Sequence, residues 1–178
     1  MSLLSQLVEI ALDDPKLAGA SHPAFVSAEL AKVELQAAPI EPSWIIAGQP
    51  HAEGAVHSQS ADACSTTTIW RCSAGAFRWN FLWDETVYIV SGSVVVTDET
   101  GAKTTISAGD VAYFAAGTWA TWEIADHVKK VAFCRRPFPK PVMAAMSLKR
   151  RLSKLLGRGG STAPAAGAGL ATLTAKTQ

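Results

Sequence analysis

The stretch that decides the fold is Gly75-Ala-Phe-Arg-Trp-Asn-Phe-Leu-Trp-Asp-Glu-Thr-Val-Tyr-Ile-Val-Ser-Gly92. Half of its residues are aromatic or β-branched, and these residue types favour pleated strands. A glycine stands at each end, where the chain can turn or bend. The stretch therefore predicts two short strands, over residues 77–81 and 86–90.

Similar runs continue on both sides of this stretch, separated by turn residues. Residues 98–101 and 108–110 contain glycine at points where the chain must reverse between two runs. Pro137, Pro139 and Pro141 end the pattern, because proline cannot donate to a strand ladder. Short strands at such close spacing indicate an antiparallel all-β sandwich or barrel. The predicted strands cover residues 44–47, 65–72, 77–81, 86–90, 93–97, 103–107, 111–115, 119–124 and 128–135.

The chain length of 178 residues and the apolar fraction of 48% fit one domain with appendages. The predicted barrel domain covers residues 43–139. Residues 1–42 are predicted to be a helical N-terminal extension, because apolar residues recur there at helical spacing, as at Val26 and Leu30.

The two ends of the chain differ in charge. Residues 1–126 carry all 15 acidic residues and five basic ones, whereas residues 127–178 carry eleven basic residues and no acidic one. Residues 140–158 predict a basic amphipathic helix, with leucines at positions 148, 152, 155 and 156 on one side. That helix would either contact an anionic membrane weakly or pack on the rest of the protein. Residues 159–178 are mostly Gly, Ala, Ser and Thr, with little to bury, and are predicted to be disordered.

The cysteines and the N-terminal residues indicate in which cellular compartment the protein is located. Three cysteines are an odd number and show no disulfide-like spacing, as is usual in a reducing environment. The first residues have neither a basic start nor an unbroken apolar run, so we predict no signal peptide and no membrane span. We expect the protein to be cytoplasmic.

Two motifs carry a resemblance to a known family. Glu85 stands seven positions before Gly92, which resembles the first cupin motif, and residues 109–117 (GDVAYFAAG) resemble the second, with Ala115 where proline is usual. The aromatic run 77–81 before Glu85, and Trp122 after the second motif, resemble the small cupins similar to (S)-ureidoglycine aminohydrolase. The resemblance covers residues 43–139 and implies a cupin-type jelly-roll barrel of the RmlC-like kind.

The resemblance also implies where a metal would be held, and those positions lack ligands. Metal-binding cupins use two histidines spaced by one residue, the motif glutamate and a further histidine. The first two positions fall on Arg78 and Asn80 or on Trp79 and Phe81, and the last falls on Ala120. We therefore predict no metal and no cofactor. The histidines at positions 51 and 57 could be ligands only if the fold brought them to Glu85.

Glu85 is the predicted catalytic residue, as a general acid or base or as an anchor for a polar ligand. The alternative is an ion pair with Arg71 or Arg78 that only stabilises the barrel. The aromatic residues could line a pocket, the core or a dimer interface. The predicted ligand-binding residues are Trp79, Phe81, Asn80, Tyr88 and Trp122.

These features leave three functions open. The first is a metal-free protein that binds a small molecule, and as an enzyme it would act on a nitrogen-containing or carboxylated metabolite. The second is a sensory module without enzymatic activity, and the third is a scaffold that acts through the basic C-terminal helix. We expect a homodimer and no specific nucleic-acid binding, because the basic segment has no aromatic residue to stack on bases.

Overall fold

The computed structural model describes residues 23–137 and Leu148. The described part is built almost entirely from antiparallel strands, with one short 3-10 helix, Pro42–Trp44. No helix within it is long and apolar enough to cross a membrane. The strands are β1 (Gln36–Ala37), β2 (Ile45–Ala47), β3 (Ala52–Gln59), β4 (Ser65–Phe81), β5 (Asp84–Thr97), β6 (Lys103–Ser107), β7 (Val111–Phe114) and β8 (Thr118–Arg135).

Three long strands organise the sheet, whose path runs β1-β3-β4-β8-β5-β6, with β2 paired to β4 and β7 paired to β5. Strands β4 and β8 pair from Ser65 opposite Arg135 to Phe81 opposite Thr118. Strand β5 pairs with β8 as well, and the register of both ladders shifts near the middle. The sheet bends there, which divides it into two layers.

The first layer contains β3, β7 and residues 65–73, 84–92 and 127–135 of the long strands. The second layer contains β2, β6 and the remaining parts of those strands. The two layers close over one core, because the Trp70 ring of the first layer lies 6.1 Å from the Trp122 ring of the second. This all-β architecture confirms the predicted fold class at the level of an antiparallel sheet closed around an apolar core.

Each of the long strands β4, β5 and β8 was predicted as two separate strands, and in β4 and β5 the bend between the two parts lies at a glycine. Gly75 and Gly92 both have positive φ, 155° and 74°, so the chain can turn sharply there without ending its ladder. A Cβ at position 92 would lie 1.9 Å from the carbonyl oxygen of His127, so no other residue fits. The predicted strands left both glycines out, whereas each glycine lies at a bend within one continuous strand.

The N-terminal segment differs from the helical prediction in the part that the structure describes. Residues 23–35 contain a turn but no helix, and Gln36–Ala37 pair with β3. Lys129 Nζ donates to the Leu30 carbonyl oxygen at 2.8 Å. Apart from the hydrogen bond that Lys32 N–H donates to the Glu29 carbonyl oxygen within the turn, the described backbone hydrogen bonds of this segment are with the sheet, and these tertiary contacts override the helical spacing. Residues 1–22 lie outside the described part.

The C-terminal predictions fall mostly outside the described residues. The basic helix over 140–158 is represented there only by Leu148, which is helical. The disordered tail over 159–178 lies outside as well, so both remain predictions. Strand β3 was not among the predicted strands, because its glycine and its mixture of polar and small residues hide the alternation.

Candidate functional site

The centre of the candidate site is a buried ion pair between the first-layer strands β5 and β8. Glu85 is 5% exposed and Lys130 is 2% exposed. Lys130 Nζ donates to Glu85 Oε1 at 2.5 Å. Because an isolated charge is very costly to bury, the two opposite charges compensate each other here.

The strand register brings these two side chains together. Residues 128, 130, 132 and 134 of β8 all point inward, as the twofold side-chain repeat of a strand requires. Glu85 is opposite Cys134, so its carboxylate lies two inward positions away from Lys130 along β8. Ala132 occupies the position between them. Its methyl group leaves room for the lysine side chain to run along the strand to the carboxylate.

Two tryptophans flank the ammonium group. Lys130 Nζ lies 4.7 Å from the ring centroid of Trp122 and 5.1 Å from that of Trp70. Such cation–π contacts are worth about 2 kcal/mol or more when the cation is removed from water. The two rings therefore help to stabilise a positive charge inside the core.

Several buried polar atoms around the pair have no hydrogen-bond partner. Among them are the indole nitrogens of Trp70 and Trp122 and the hydroxyl oxygen of Thr66. Thr66 is opposite Cys134, which is itself opposite Glu85, so the hydroxyl belongs to the same row of inward residues. Folded proteins usually satisfy such atoms, at a cost of about 1–3 kcal/mol each when they do not.

Aromatic rings form the rest of the inner surface. Phe81 stacks on Phe114 with centroids 4.2 Å apart, and Phe114 lies 5.7 Å from Trp122. Trp79 is edge-on to Trp44 and lies 6.0 Å from Trp70. The inner surface is therefore apolar and aromatic except around the Glu85–Lys130 pair.

Three of the five predicted ligand-binding residues face this interior. Trp79, Phe81 and Trp122 are buried in the core. Asn80 points the other way, and its side chain donates to the Thr118 carbonyl oxygen at 3.4 Å. Tyr88 lies on the outer face and is 44% exposed. The strand alternation separates Asn80 and Tyr88 from the interior, although Asn80 lies between Trp79 and Phe81 in the sequence.

The predicted partners of Glu85 were wrong. Arg71 pairs with Glu53, with Nε 2.5 Å from Oε2, and Arg78 lies over the Trp119 ring at 4.8 Å. Both arginines occupy outward positions on β4, so neither reaches the interior. The actual partner, Lys130, was missed. Its signal was in the sequence, since it alternates in step with Val128, Ala132 and Cys134.

Two buried thiols complete the description of the interior. Burial, together with the negative charge of Glu85, raises the pKa of Cys134 to about 12. Burial likewise raises the pKa of Cys72 to about 12. Since the thiolate is the nucleophilic form, neither cysteine is suited to nucleophilic chemistry at neutral pH.

The interior does not fit a divalent metal. Of the two position pairs considered, the alternation selects Trp79 and Phe81 as inward, and Ala120 is inward too. None of these side chains offers a lone pair to a metal. The one acidic ligand, Glu85, is already paired with an ammonium that would repel a cation. Within residues 23–137 no three His, Cys, Asp or Glu side chains are grouped as a metal site would require.

The predicted alternative ligands lie elsewhere. His51 lines a cavity at the bend of the sheet together with His127. His57 is on β3, where its Nδ1 lies 3.1 Å from the Ser58 hydroxyl. Neither histidine has a contact with Glu85 among the hydrogen bonds and ion pairs of the described residues.

The comparisons with known proteins agree with this architecture. Residues 59–132 match the family model of the EutQ-like cupin domain. No curated protein sequence matches the chain. A protein of unknown function from Pseudomonas syringae pv. tomato is 20% identical with a TM-score of 0.54, over 58% of this chain and 45% of that one. The chain therefore spans less than half of that relative.

Two further solved structures show weaker overall similarity. The EutQ protein of Clostridium difficile is 14% identical with a TM-score of 0.49, over 62% of this chain and 86% of that one. A Thermotoga maritima protein is 36% identical with a TM-score of 0.35, over 36% of this chain and 73% of that one.

Proposed function

We propose that the domain containing residues 59–132, which match the EutQ-like cupin family model, binds a small polar organic molecule at the Glu85–Lys130 pair. The observation that supports this is the set of unpartnered buried donors around that pair. Natural proteins break the rule of satisfied polar groups mainly at functional sites. A ligand that accepts hydrogen bonds from these donors would remove the cost of leaving them unpaired.

The chemistry of the site favours a particular class of ligand. A carboxylate or carbonyl oxygen can accept from Lys130 and from the indole N–H groups of Trp70 and Trp122. A nitrogen donor can bind the Glu85 carboxylate. The rings of Trp79 and Phe81 favour a flat ligand. We therefore propose a small nitrogen-containing or carboxylated metabolite, as the resemblance to ureidoglycine aminohydrolase-like cupins also suggests.

If the protein is an enzyme, Glu85 is the residue that transfers a proton. Its carboxylate would accept a proton from the bound molecule, and the nearby ammonium of Lys130 would stabilise the anion left behind. Trp79 and Trp122 would shape the site. No metal takes part in this proposal, because the inward positions lack ligand atoms. A sensory or scaffold role through the basic C-terminal segment is the alternative, and it rests on the charge asymmetry of the chain.

We also propose that the protein is a cytoplasmic homodimer. The outer face of the first layer carries a set of exposed apolar side chains on three adjacent strands, β7, β5 and β8. We call this set the outer apolar face; it consists of Tyr88, Val111, Tyr113 and Phe133. A second copy could cover this face and so bury its apolar surface. The three cysteines are free, as is usual in a reducing compartment.

Native mass spectrometry of the purified protein tests the proposed ligand site. We expect a small molecule to accompany the unmodified chain and to be lost from the double variant Glu85→Gln/Lys130→Met, in which no buried charge is left unpaired. Lys103→Met is the matched control, because Lys103 pairs with Glu123 at 3.2 Å on the surface. The proposal is wrong if no molecule accompanies the chain, or if the double variant retains it.

A further inference from the structure

A cavity lined by several charged and polar side chains lies on the outer side of the sheet, where the long strands bend. Its volume is about 330 Å³. We call it the bend pocket and define it by six of its lining residues: His51, Glu53, Arg71, Ser73, His127 and Lys129. Arg71 and Lys129 are outward neighbours of Trp70 and Lys130, so the bend pocket and the Glu85–Lys130 pair are on opposite faces of the same strands.

The charges in the bend pocket do not balance. Arg71 donates from Nε to Glu53, and this hydrogen bond holds the pKa of the Glu53 carboxyl below its ordinary value. Glu53 is therefore ionised at neutral pH and compensates the charge of Arg71. Lys129 donates to the neutral carbonyl oxygen of Leu30. Its positive charge has no acidic partner among the hydrogen bonds and ion pairs of the described residues.

The bend pocket also holds several hydrogen-bond donors at close quarters. A guanidinium has five N–H donors and an ammonium has three. The hydrogen bonds to Glu53 and Leu30 use one donor on each group. Ser91 adds a hydroxyl to the lining, and Cys72 and Val128 form a buried floor. A net positive pocket with a guanidinium, an ammonium and hydroxyls is the chemistry that recognises an oxyanion.

We propose that the bend pocket binds a small oxyanion, the carboxylate or phosphate group of a metabolite, with Arg71 and Lys129 as its charged anchors. This site is independent of the proposed interior site. A transition metal is a poor alternative occupant, since residues 23–137 bring no three metal-ligating side chains together.

Titration of the full-length protein with inorganic phosphate and, separately, with acetate tests this proposal. The binding is followed by isothermal calorimetry and by the NMR shifts of the His51 and His127 rings, at constant ionic strength. We expect millimolar or tighter binding of at least one anion. Phosphate alone would identify a phosphate site, acetate alone a carboxylate site, and both a general oxyanion site.

Two variants and one control locate the binding. We expect Lys129→Gln and the double variant Arg71→Gln/Glu53→Gln each to raise the dissociation constant by about tenfold or more, the usual effect of losing a charge-assisted hydrogen bond. Arg78→Gln should leave it unchanged, because Arg78 lies over Trp119 and not in the bend pocket. The absence of millimolar binding of either anion would overturn the proposal, and so would binding that neither variant weakens. Glu85→Gln/Lys130→Met should not affect it, so this test is separate from that of the interior site.

Discussion

The two faces of the first layer present the same kinds of side chain in opposite environments. Lys130 and Lys129 are consecutive in sequence, yet Lys130 is 2% exposed against two tryptophans whereas Lys129 bonds to a backbone carbonyl on the outer face. Glu85 and Asp84 are divided in the same way, since Asp84 accepts from the exposed Tyr113 hydroxyl at 3.0 Å. The difference teaches that strand alternation alone decides whether a charge here is a costly interior feature or an ordinary surface one.

The largest expected effect comes from breaking the inner ion pair. Lys130→Met leaves the Glu85 carboxylate buried without a partner, so we expect the free energy of unfolding to fall by about 3–5 kcal/mol. The surface counterpart, Lys103→Met, should cost at most about 1 kcal/mol. Urea denaturation of both variants measures the difference.

The double variant Glu85→Gln/Lys130→Met sharpens that result. It should recover most of the lost stability, because no charge remains buried. If Lys130→Met and Lys103→Met lower stability equally, the interior is not sealed from water. The single variant Glu85→Gln tests whether the carboxylate is paired with Lys130 in solution. If it is unpaired, the protein should be equally or more stable without it, whereas the observed ion pair predicts a loss of stability.

The next effect is a loss of stability at alkaline pH, caused by the two buried thiols. Their pKa values in the folded protein are about 12, whereas an unfolded cysteine titrates near 8.5. As the pH rises above about 9, the unfolded chain releases these protons and the folded chain keeps them, so folding becomes less favourable. We expect a loss of about 2 kcal/mol per thiol at pH 10.

Urea denaturation between pH 8 and pH 10 measures this loss. In the variant Cys72→Ala/Cys134→Ala the part due to the thiols should disappear, and an unchanged pH dependence there would exclude them as its cause. Alkylation at pH 8 gives an independent check: Cys64, which is partly exposed, should react well before the other two.

A smaller effect is expected on association through the outer apolar face. Replacing Phe133 with lysine should raise the dissociation constant of the homodimer by about tenfold or more, since it places a charge within that face. Analytical ultracentrifugation over a range of concentrations measures the change. Val56→Lys is the control, because Val56 is an exposed apolar residue on β3, outside the face. Equal dissociation of both variants would argue against this interface, as would an unmodified protein that is monomeric.

The smallest effect concerns an unpartnered hydroxyl of the interior. Thr66→Val keeps the shape of the side chain and removes the unpaired oxygen, so the ligand-free protein should be more stable by about 1 kcal/mol. The matched change at the partly exposed neighbour, Thr67→Val, should be neutral. Thermal denaturation of ligand-free samples measures both. A clear loss of stability in Thr66→Val would mean that the hydroxyl has a partner in solution.

Much of the strand pattern could be predicted from the sequence, since the runs around Glu85 and the glycine turns are local signals. Part of the inner face could also be predicted from the sequence, because Trp79, Phe81 and Trp122 follow the alternation that buries them. Lys130 was not named as a site residue, although its parity with Val128 indicated the interior. The segment around Leu30 could not be derived locally, because its conformation depends on hydrogen bonds to strands that are distant in sequence.

The three long strands pass unbroken through both layers, and this continuity constrains how the interior can be reached. Two layers joined by flexible loops could move apart about a hinge. Here such a motion would require each of β4, β5 and β8 to break at its bend. A ligand that binds at Lys130 must therefore enter between side chains at one end of the sheet, or enter only when both layers unfold cooperatively. In amide hydrogen exchange, the two ends of β4 should accordingly open together and at similar rates.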